Sequence, residues 1–286
     1  MQCFHPWKPD ASLGLAPGLQ LRCGRCQGCR LNRAHEWATR CMHEAQMHER
    51  NCYITLTYDD AAIPRGYSLT YPHFQKFMRR LRKHFKGQVV RFYMAGEYGD
   101  KFERPHFHAC IFGVDFQDKQ YLRKNQNGDV LYTSATLSRL WPHGFASVGA
   151  VTFQSAAYVA RYVMKKITGD LAASHYTYVD EHGEIHQRAP EFNHMSLKPG
   201  IGKTWYDKFK SDIYPADHVI TGGHPSKTPR YYDKLLEKEA PVVLAELKER
   251  RKAKAALSKA DNTPRRLAAK EIVTAAKVKQ LKRTLS

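Results

Sequence analysis

Two histidines separated by one residue lie within a short apolar segment, Arg104-Pro-His-Phe-His-Ala-Cys-Ile-Phe-Gly113. The alternating pattern, rich in aromatic and branched residues and ended by glycine, predicts a β-strand. Successive side chains of a strand point to opposite faces, so His106, His108 and Cys110 share one face and the apolar residues share the other. Two imidazoles two residues apart, roughly 6.5–7 Å along the strand, can converge on one metal ion.

A carboxylate upstream completes a candidate metal site. Val89–Glu97 also predicts a strand, and the turn-rich segment Tyr98–Glu103 joins the two strands into a hairpin. Opposed positions in an antiparallel pair have a nearly constant index sum, which places Glu97 opposite Pro105 and His106. One carboxylate and two imidazoles suit a divalent ion with open positions, Mn²⁺ or Mg²⁺, at which phosphate oxygens can bind.

A second group of candidate catalytic residues lies in the segment from 156 to 166, AAYVARYVMKK, which lacks Gly and Pro and predicts a helix. Tyr158 and Tyr162 are four residues apart and share one helix face; Lys166 continues that row and Lys165 borders it. A phenol attacks phosphorus competently once a base or a cation helps it to ionise, and nearby lysines stabilise phenolate or phosphate charge. A core helix with two amphipathic tyrosines is the structural alternative, but it does not explain why lysines share the row.

These segments carry a family resemblance. PHFHACIF resembles the histidine–hydrophobe–histidine motif of HUH endonucleases, YVARYVMKK resembles the two-tyrosine motif of their rolling-circle replication initiators, and Tyr53–Tyr58 is similar to the first strand motif of that family. The order of the three motifs also matches. The flanking details are closest to the initiators of Microviridae, the small single-stranded DNA phages, and especially the gokushovirus branch. Those details are the segments Cys23–Cys29, Gly96–Gly99, Lys198–Gly202 and Arg230–Lys234.

The resemblance implies an RRM-like nuclease fold and an enzyme that nicks one strand of origin DNA. In that family a tyrosine attacks the scissile phosphate, giving a 5′-phosphotyrosine and a free 3′-hydroxyl, and a second tyrosine allows another round of cleavage before the strands are rejoined. The polarity of the link and the closure of a circle rest on the resemblance alone. The partners it implies are single-stranded origin DNA and the host replication helicase and polymerase.

The charge balance favours a polyanionic partner. The formal net charge is +19 and the isoelectric point is about 9.6, which suits nucleic acid or an anionic membrane. No run approaches the roughly 18 apolar residues of a spanning helix, and no signal-peptide core is present, so no membrane partner and a bacterial cytoplasmic location are expected. One face of the helix predicted after Thr70 is basic, and solvation and DNA contact are both open explanations for it. That face consists of Lys76, Arg79, Arg80 and Lys83.

Three of the seven cysteines form a compact group, Cys23, Cys26 and Cys29, with glycines between them. Two overlapping C-x-x-C units suit a thiolate-bound structural Zn²⁺, because glycines let the backbone fold back on the metal. A glycine-rich turn of free thiols and an iron–sulfur cluster are the alternatives. The zinc ion needs a fourth ligand, and the sequence does not choose among Cys3, His5, Cys41 and His43.

The order strand, helix, strand, strand, helix, strand, helix predicts an α+β fold, an antiparallel sheet with flanking helices packed on one face. Residues 116–134 are expected to be a variable loop. The predicted regions are a Cys-rich N-terminal segment with a helix (1–50), the nuclease core (51–170), a loop-rich extension (171–232) and a basic helical tail (233–286).

Two other functions remain open at this point. A metal-dependent hydrolase is one, since His-x-His also occurs on barrel strands, although the βα alternation of a barrel is absent. A basic protein that binds single-stranded nucleic acid without catalysis is the other. The segment Gly200–Thr204 (GIGKT) is not a nucleotide-binding loop, because Leu197 occupies the position of the first glycine.

Overall fold

The computed structural model describes residues 3–14, 20–99, 102–125, 127–161, 166–167, 169–214 and 216–280. The chain divides into two units, one comprising residues 1–37 and 209–283 and the other comprising residues 38–208. The helices are α1 (Gln27–Ala45), α2 (Tyr71–His84), α3 (Ala135–Leu140), α4 (Phe153–Arg161), α5 (Leu171–His175), α6 (Lys203–Ile213), α7 (Arg230–Glu239), α8 (Pro241–Ala256) and α9 (Pro264–Gln280). The strands are β1 (Asn51–Thr57), β2 (Arg91–Tyr98), β3 (Pro105–Phe112), β4 (Lys119–Lys124), β5 (Val130–Ser134), β6 (Ala146–Gly149), β7 (Thr177–Val179), β8 (Ile185–Gln187), β9 (Phe192–Met195), β10 (His218–Thr221) and β11 (His224–Lys227).

Among the described residues of the second unit, seven strands form one antiparallel sheet in the order β4-β5-β6-β1-β3-β2-β9. The central strand β3 pairs with β1 on one side and with β2 on the other. The predicted antiparallel α+β fold is therefore confirmed. The sheet is open, with β4 and β9 as its edges, so it offers no barrel of the kind that the hydrolase alternative would use.

The apolar face of the sheet packs against α2. Phe74, Phe77, Met78 and Leu81 follow the i, i+3, i+4, i+7 spacing of one helix face, and all four are buried. They join Phe107, Ala109 and Ile111 of β3 in the main core cluster, which also includes Trp141 beyond the end of α3. This burial fixes which face of β3 is structural, and the histidines lie on the other face.

Helix α4 covers the histidine face, so the prediction that the helices pack on one face is wrong. The ring of Tyr158 packs against His108, and Tyr53 and Tyr93 are fully buried on the same face as the histidines. The physical reason is that these large side chains also need cover from water. A strict division into one apolar and one solvated face overlooked them.

The region 116–134 is not a loop, contrary to the prediction. It forms the hairpin β4–β5, whose turn is closed by Asn125 and Asp129. Strand β4 is an edge strand with nearly all of its side chains exposed, and this exposure explains its polar, loop-like composition.

In the other unit, the predicted helical breaks are observed. Helix α7 ends at Glu239 and α8 begins at Pro241, and α9 begins at Pro264. Leu236, Leu244 and Leu247 form a buried cluster between α7 and α8. Within the part of the chain that the structure describes, there is no helix with the length and apolar character needed to cross a bilayer.

Candidate active site

The pairing of β2 with β3 places Glu97 directly opposite His106, as the sequence predicts. One carboxylate oxygen, Glu97 Oε1, lies 2.8 Å from His106 Nε2 and 2.9 Å from His108 Nε2. The two imidazole rings stand nearly perpendicular, with centroids 5.0 Å apart. The structure thus brings all three predicted metal ligands to one point on the sheet.

The second nitrogen of each imidazole is held by a neighbour. His106 Nδ1 donates to the carbonyl oxygen of Arg104 at 2.8 Å. His108 Nδ1 lies 2.7 Å from the Tyr53 hydroxyl and 3.1 Å from Thr55 Oγ1, both on β1. Such contacts orient the ring and select its tautomer, which is how outer residues prepare a histidine for a metal.

The Glu97 carboxylate is charged at neutral pH. It is only 2% exposed, and burial alone would raise its pKa. The hydrogen bonds from His106 and His108 outweigh burial and lower the pKa of Glu97 to about 2. A permanent negative charge therefore lies between two imidazoles in a nearly dry environment, where a cation is strongly stabilised.

The donor geometry fits a divalent ion. Magnesium binds oxygen at about 2.0–2.1 Å, so neighbouring ligand atoms of an octahedral ion lie about 3 Å apart. The 2.8 and 2.9 Å separations at Glu97 match this spacing. Because His106 Nδ1 carries the proton given to Arg104, a neutral His106 turns the lone pair of Nε2 toward a carboxylate, and a cation between them relieves that contact.

Tyr158 lies against this centre. Its ring meets His108 edge to face with centroids 5.1 Å apart, and the residue is 8% exposed. The guanidinium of Arg161, one helical turn later, lies 5.9 Å from the Tyr158 ring centroid. Tyr162 and Lys165 lie outside the described residues. Lys166 is half-buried and lies beyond the described end of α4.

Sequence reasoning missed several residues around the site. Tyr53 and Thr55 support His108, and Arg161 is the described cation beside Tyr158. Asn193 on β9 ties the sheet to α4 by donating to the Val159 carbonyl at 3.2 Å. The alternation of β1 contained a signal for Tyr53 and Thr55, because the register of β1 against β3 would have placed them beside His108.

The cysteine cluster has four members, all in the other unit. Cys3 joins Cys23, Cys26 and Cys29, with the four sulfur atoms within 4.8 Å of one another. Cys3 Sγ lies 3.6 Å from Cys23 Sγ and 3.9 Å from Cys26 Sγ, close to the spacing of about 3.8 Å expected for a tetrahedral site with Zn–S bonds of about 2.3 Å. Burial raises the pKa of Cys26, but backbone N–H donors, Phe4 first among them, outweigh burial and lower it to about 6.

The remaining candidates for the fourth cysteine-site ligand are engaged elsewhere. His5 pairs with Glu271. His43 stacks on Trp205 with ring centroids 3.5 Å apart. Cys41 is fully buried, and burial raises its pKa well above that of a free thiol.

The basic residues predicted on α2 lie on the helix that covers the apolar face, so the sheet separates them from the histidine face. Lys76, Arg79 and Lys83 are exposed. Arg80 is half-buried and donates from Nε to the Leu140 carbonyl at 2.8 Å, so it ties α2 to α3.

The loop that contains the GIGKT segment is held by a buried ion pair. Glu44 accepts from the backbone N–H of Gly202 at 2.7 Å and pairs with Arg91, which donates to the Pro199 carbonyl at 2.6 Å. A carboxylate, not a phosphate, therefore occupies the Gly202 N–H, in agreement with the rejection of a nucleotide loop.

Residues 51–167, which contain β1, the β2–β3 hairpin and α4, match the profile of the family described as Replication-associated protein ORF2. The chain is also similar over most of its length to Replication-associated protein VP4 of Bdellovibrio phage phiMH2K, with 34% identity over 229 residues, 77% of this chain and 68% of the relative. Replication-associated protein ORF2 of Spiroplasma virus 4 is 34% identical over 230 residues, 76% of this chain and 68% of the relative.

Replication-associated protein ORF4 of Chlamydia phage 1 is 31% identical over 227 residues, which are 76% of this chain and 54% of that protein. No solved structure is significantly similar to the chain.

Proposed function

This chain belongs to the family of phage replication-associated proteins, and we propose that it initiates replication as a metal-dependent nickase that uses a tyrosine nucleophile. One observation carries the proposal. Tyr158 packs against His108, which shares the Glu97 oxygen with His106, so a candidate nucleophile and three metal donors adjoin. The substrate is single-stranded origin DNA, and the products are a 5′-phosphotyrosine and a free 3′-hydroxyl.

Glu97, His106 and His108 would hold Mg²⁺ or Mn²⁺. A bound divalent ion would polarise the scissile phosphate and neutralise charge that develops on its oxygens. The two imidazoles contribute by presenting Nε2 lone pairs, since Arg104 and Tyr53 hold their Nδ1 atoms. Glu97 contributes the negative charge that binds a cation in a buried place.

In the cleavage step, the Tyr158 phenol oxygen forms a new bond to phosphorus while the bond between phosphorus and the 3′ oxygen breaks. The phenol proton passes to solvent, and the 3′ oxygen takes up a proton and leaves as a hydroxyl. Arg161 stabilises the phenolate, since its guanidinium lies 5.9 Å from the Tyr158 ring. Rejoining is the reverse, with a 3′-hydroxyl attacking the phosphotyrosine.

Tyr162 is the proposed second nucleophile, one turn further along the predicted helix, with Lys165 and Lys166 as further cations for phosphate. A second phenol would cleave the regenerated origin while the first still holds the strand. We propose that the host helicase and polymerase then extend from the 3′-hydroxyl, and that the reaction takes place in the bacterial cytoplasm. The four-region organisation predicted from the sequence is retained as part of this proposal.

Cys3, Cys23, Cys26 and Cys29 are proposed to hold a structural zinc ion. Their sulfur spacing matches a tetrahedral thiolate site, and backbone N–H groups point at the sulfurs of Cys3, Cys23 and Cys26. Four thiolates leave no open position for a substrate, so the role of this ion would be structural.

The test is incubation of the protein with end-labelled single-stranded DNA and Mn²⁺, followed by a denaturing gel. We expect a labelled band that migrates with the protein, and its loss in the His106→Ala, His108→Ala double variant. Cleavage without a protein-linked product would indicate hydrolysis by water, and binding without cleavage would leave a nucleic-acid-binding protein.

A further inference from the structure

An open cleft of about 570 Å³ borders the candidate active site. It lies where the β2–β3 connection meets the β7–β8 hairpin and the 3-10 turn Arg65–Tyr67. Its lining is aromatic and charged, comprising Tyr67, Phe102, Glu103, Arg104, Tyr178 and Arg188. Arg104 belongs to both places, because its carbonyl oxygen accepts the hydrogen bond of His106.

Two residues of this lining adopt a strained backbone. Tyr67 has φ 54° and Glu103 has φ 47°, in the left-handed region that favours glycine. In the described part of the chain, Asp217 is the one other non-glycine residue with positive φ. Strain of this kind persists where surrounding contacts impose it, and it is common at ligand sites.

The turn before Tyr67 is fixed by close packing. Gly66 has φ 65°, and a Cβ atom there would lie 2.6 Å from His186 Cβ on β8. The turn can therefore approach the β7–β8 hairpin only with glycine at this position. The approach brings the Tyr67 and Tyr178 rings to a centroid distance of 5.4 Å, at an angle of 46°.

Arg188 supports these rings from below. Its guanidinium lies 3.9 Å from the Tyr178 centroid and 5.3 Å from the Tyr98 centroid. It also donates to the Gly66 carbonyl at 3.1 Å and to Glu103 at 2.6 Å, and its side chain is 7% exposed. Arg188 therefore orients Tyr178 and Glu103, while the cleft stays open above them.

Phe102 is the exposed member of the set. It is 82% exposed, which is unusual for a phenylalanine, since burial of its ring would be favourable. With Arg104 and Arg188 opposed by Glu103 alone, the lining carries a net positive charge. Aromatic rings beside arginines are what a single-stranded nucleic acid needs, since every base has a face that stacks and every nucleotide has a phosphate.

We propose that this cleft stacks a nucleobase of the single strand, next to the phosphate that is cut. The identity of the strand as DNA substrate rests on the proposed function. Phe102 and Tyr178 supply the stacking faces, and the arginines offset the charge of the adjoining phosphate. Base stacking would then hold the strand in position at the metal donors independently of which base is present.

The test is fluorescence anisotropy with a labelled single-stranded oligonucleotide and with an abasic oligonucleotide of the same length, without added divalent ion. Phe102→Ala and Tyr178→Ala should each weaken binding of the natural oligonucleotide roughly fivefold or more. Both variants should bind the abasic oligonucleotide as the wild type does. Tyr178→Phe keeps the ring, and Tyr121→Ala removes a 65% exposed ring on edge strand β4, so both should bind like the wild type.

Unchanged binding of the natural oligonucleotide by Phe102→Ala and Tyr178→Ala would overturn the proposal. An equal loss for the abasic oligonucleotide would also overturn it, because the defect would then be electrostatic or structural. None of these measurements depends on cleavage. A protein that binds in the expected way but never forms a DNA adduct would contradict the nickase proposal and leave base stacking intact.

Discussion

His108 depends on a hydroxyl that the metal would never touch. Tyr53 is fully buried, and its hydroxyl lies 2.7 Å from His108 Nδ1. Burial, followed by the proximity of Tyr158, raises the pKa of Tyr53 well above that of a free tyrosine, so the phenol stays neutral. A neutral hydroxyl can accept the Nδ1 proton and leave Nε2 free for a cation.

We therefore expect Tyr53→Phe to weaken Mn²⁺ binding by about tenfold, because removal of an outer hydrogen bond typically reduces metal affinity by about 10–100-fold. Titration calorimetry with Mn²⁺ measures this directly, and excess Mn²⁺ should restore nicking. Tyr93→Phe is the matched control, since Tyr93 is a buried tyrosine on the same sheet face whose hydroxyl accepts from Asn193. Equal Mn²⁺ affinity in Tyr53→Phe and the wild type would show that Tyr53 does not prepare His108.

Among the strands, the end of β3 is set by a close backbone approach. Gly113 has φ 95°, and a Cβ atom at this position would lie 1.9 Å from the Val89 carbonyl oxygen. Its N–H donates to the Arg50 carbonyl at 2.9 Å, so the chain cannot easily move away. Glycine at 113 thus positions the start of β2 beside the end of β3, which maintains the register of Glu97 with His106.

Gly113→Ala should lower the free energy of unfolding by about 3 kcal/mol or more, through left-handed strain plus a backbone clash. Gly128→Ala is the matched control, because Gly128 has φ 87° but an open surrounding, and its cost should be about 1 kcal/mol. Urea unfolding of both variants provides the comparison. Equal decreases would mean that the backbone at Gly113 relaxes without cost.

The cysteine cluster also tests an element, the N-terminal segment that precedes α1. If Cys3 is the fourth ligand, elemental analysis should find about one zinc per chain in the wild type and a large decrease in Cys3→Ser. His5→Ala should keep its zinc, since His5 is exposed and pairs with Glu271. Full zinc in Cys3→Ser, or zinc depletion in His5→Ala, would contradict the four-cysteine assignment.

The register of the metal donors could be predicted from the sequence because an antiparallel ladder is arithmetic. Once a turn is located, Glu97 and His106 must oppose each other. The support of His108 by Tyr53, the approach of Tyr158 and the choice of Cys3 depend on contacts between segments distant in sequence, for which a single sequence contains no comparable rule. The β4–β5 hairpin was missed because an exposed edge strand has no apolar alternation to detect.

Along the full chain, the positive charge is uneven. Residues 1–37 and 209–283 contain 23 basic and 11 acidic residues, whereas residues 38–208 contain 23 basic and 16 acidic residues. The first unit therefore has the larger net charge on fewer residues. Charge at this density attracts phosphate over the Debye length and makes binding depend on salt.

We expect the affinity for single-stranded DNA to fall steeply with salt. Replacing Lys76, Arg79 and Lys83 of α2 with glutamine should reduce the log–log slope by about 0.7 for each phosphate that is no longer neutralised, while the cleavage rate at saturating DNA stays unchanged, because α2 covers the face opposite the metal donors. Exchanging lysine and arginine at these positions keeps the charge and is the control. An unchanged slope in the glutamine variant would show that α2 does not bind phosphate.

A tyrosine nucleophile can be identified by finding the residue that becomes linked to DNA. Wild type, Tyr158→Phe, Tyr162→Phe and the double variant are incubated with labelled single-stranded DNA and Mn²⁺, digested with protease, and analysed by mass spectrometry for nucleotide-linked peptides. We predict a phosphotyrosine linkage at Tyr158 or Tyr162 in the wild type, partial and unequal adduct formation in the single variants, and none in the double variant. An adduct formed by the double variant would contradict the assignment of these tyrosines as the nucleophiles.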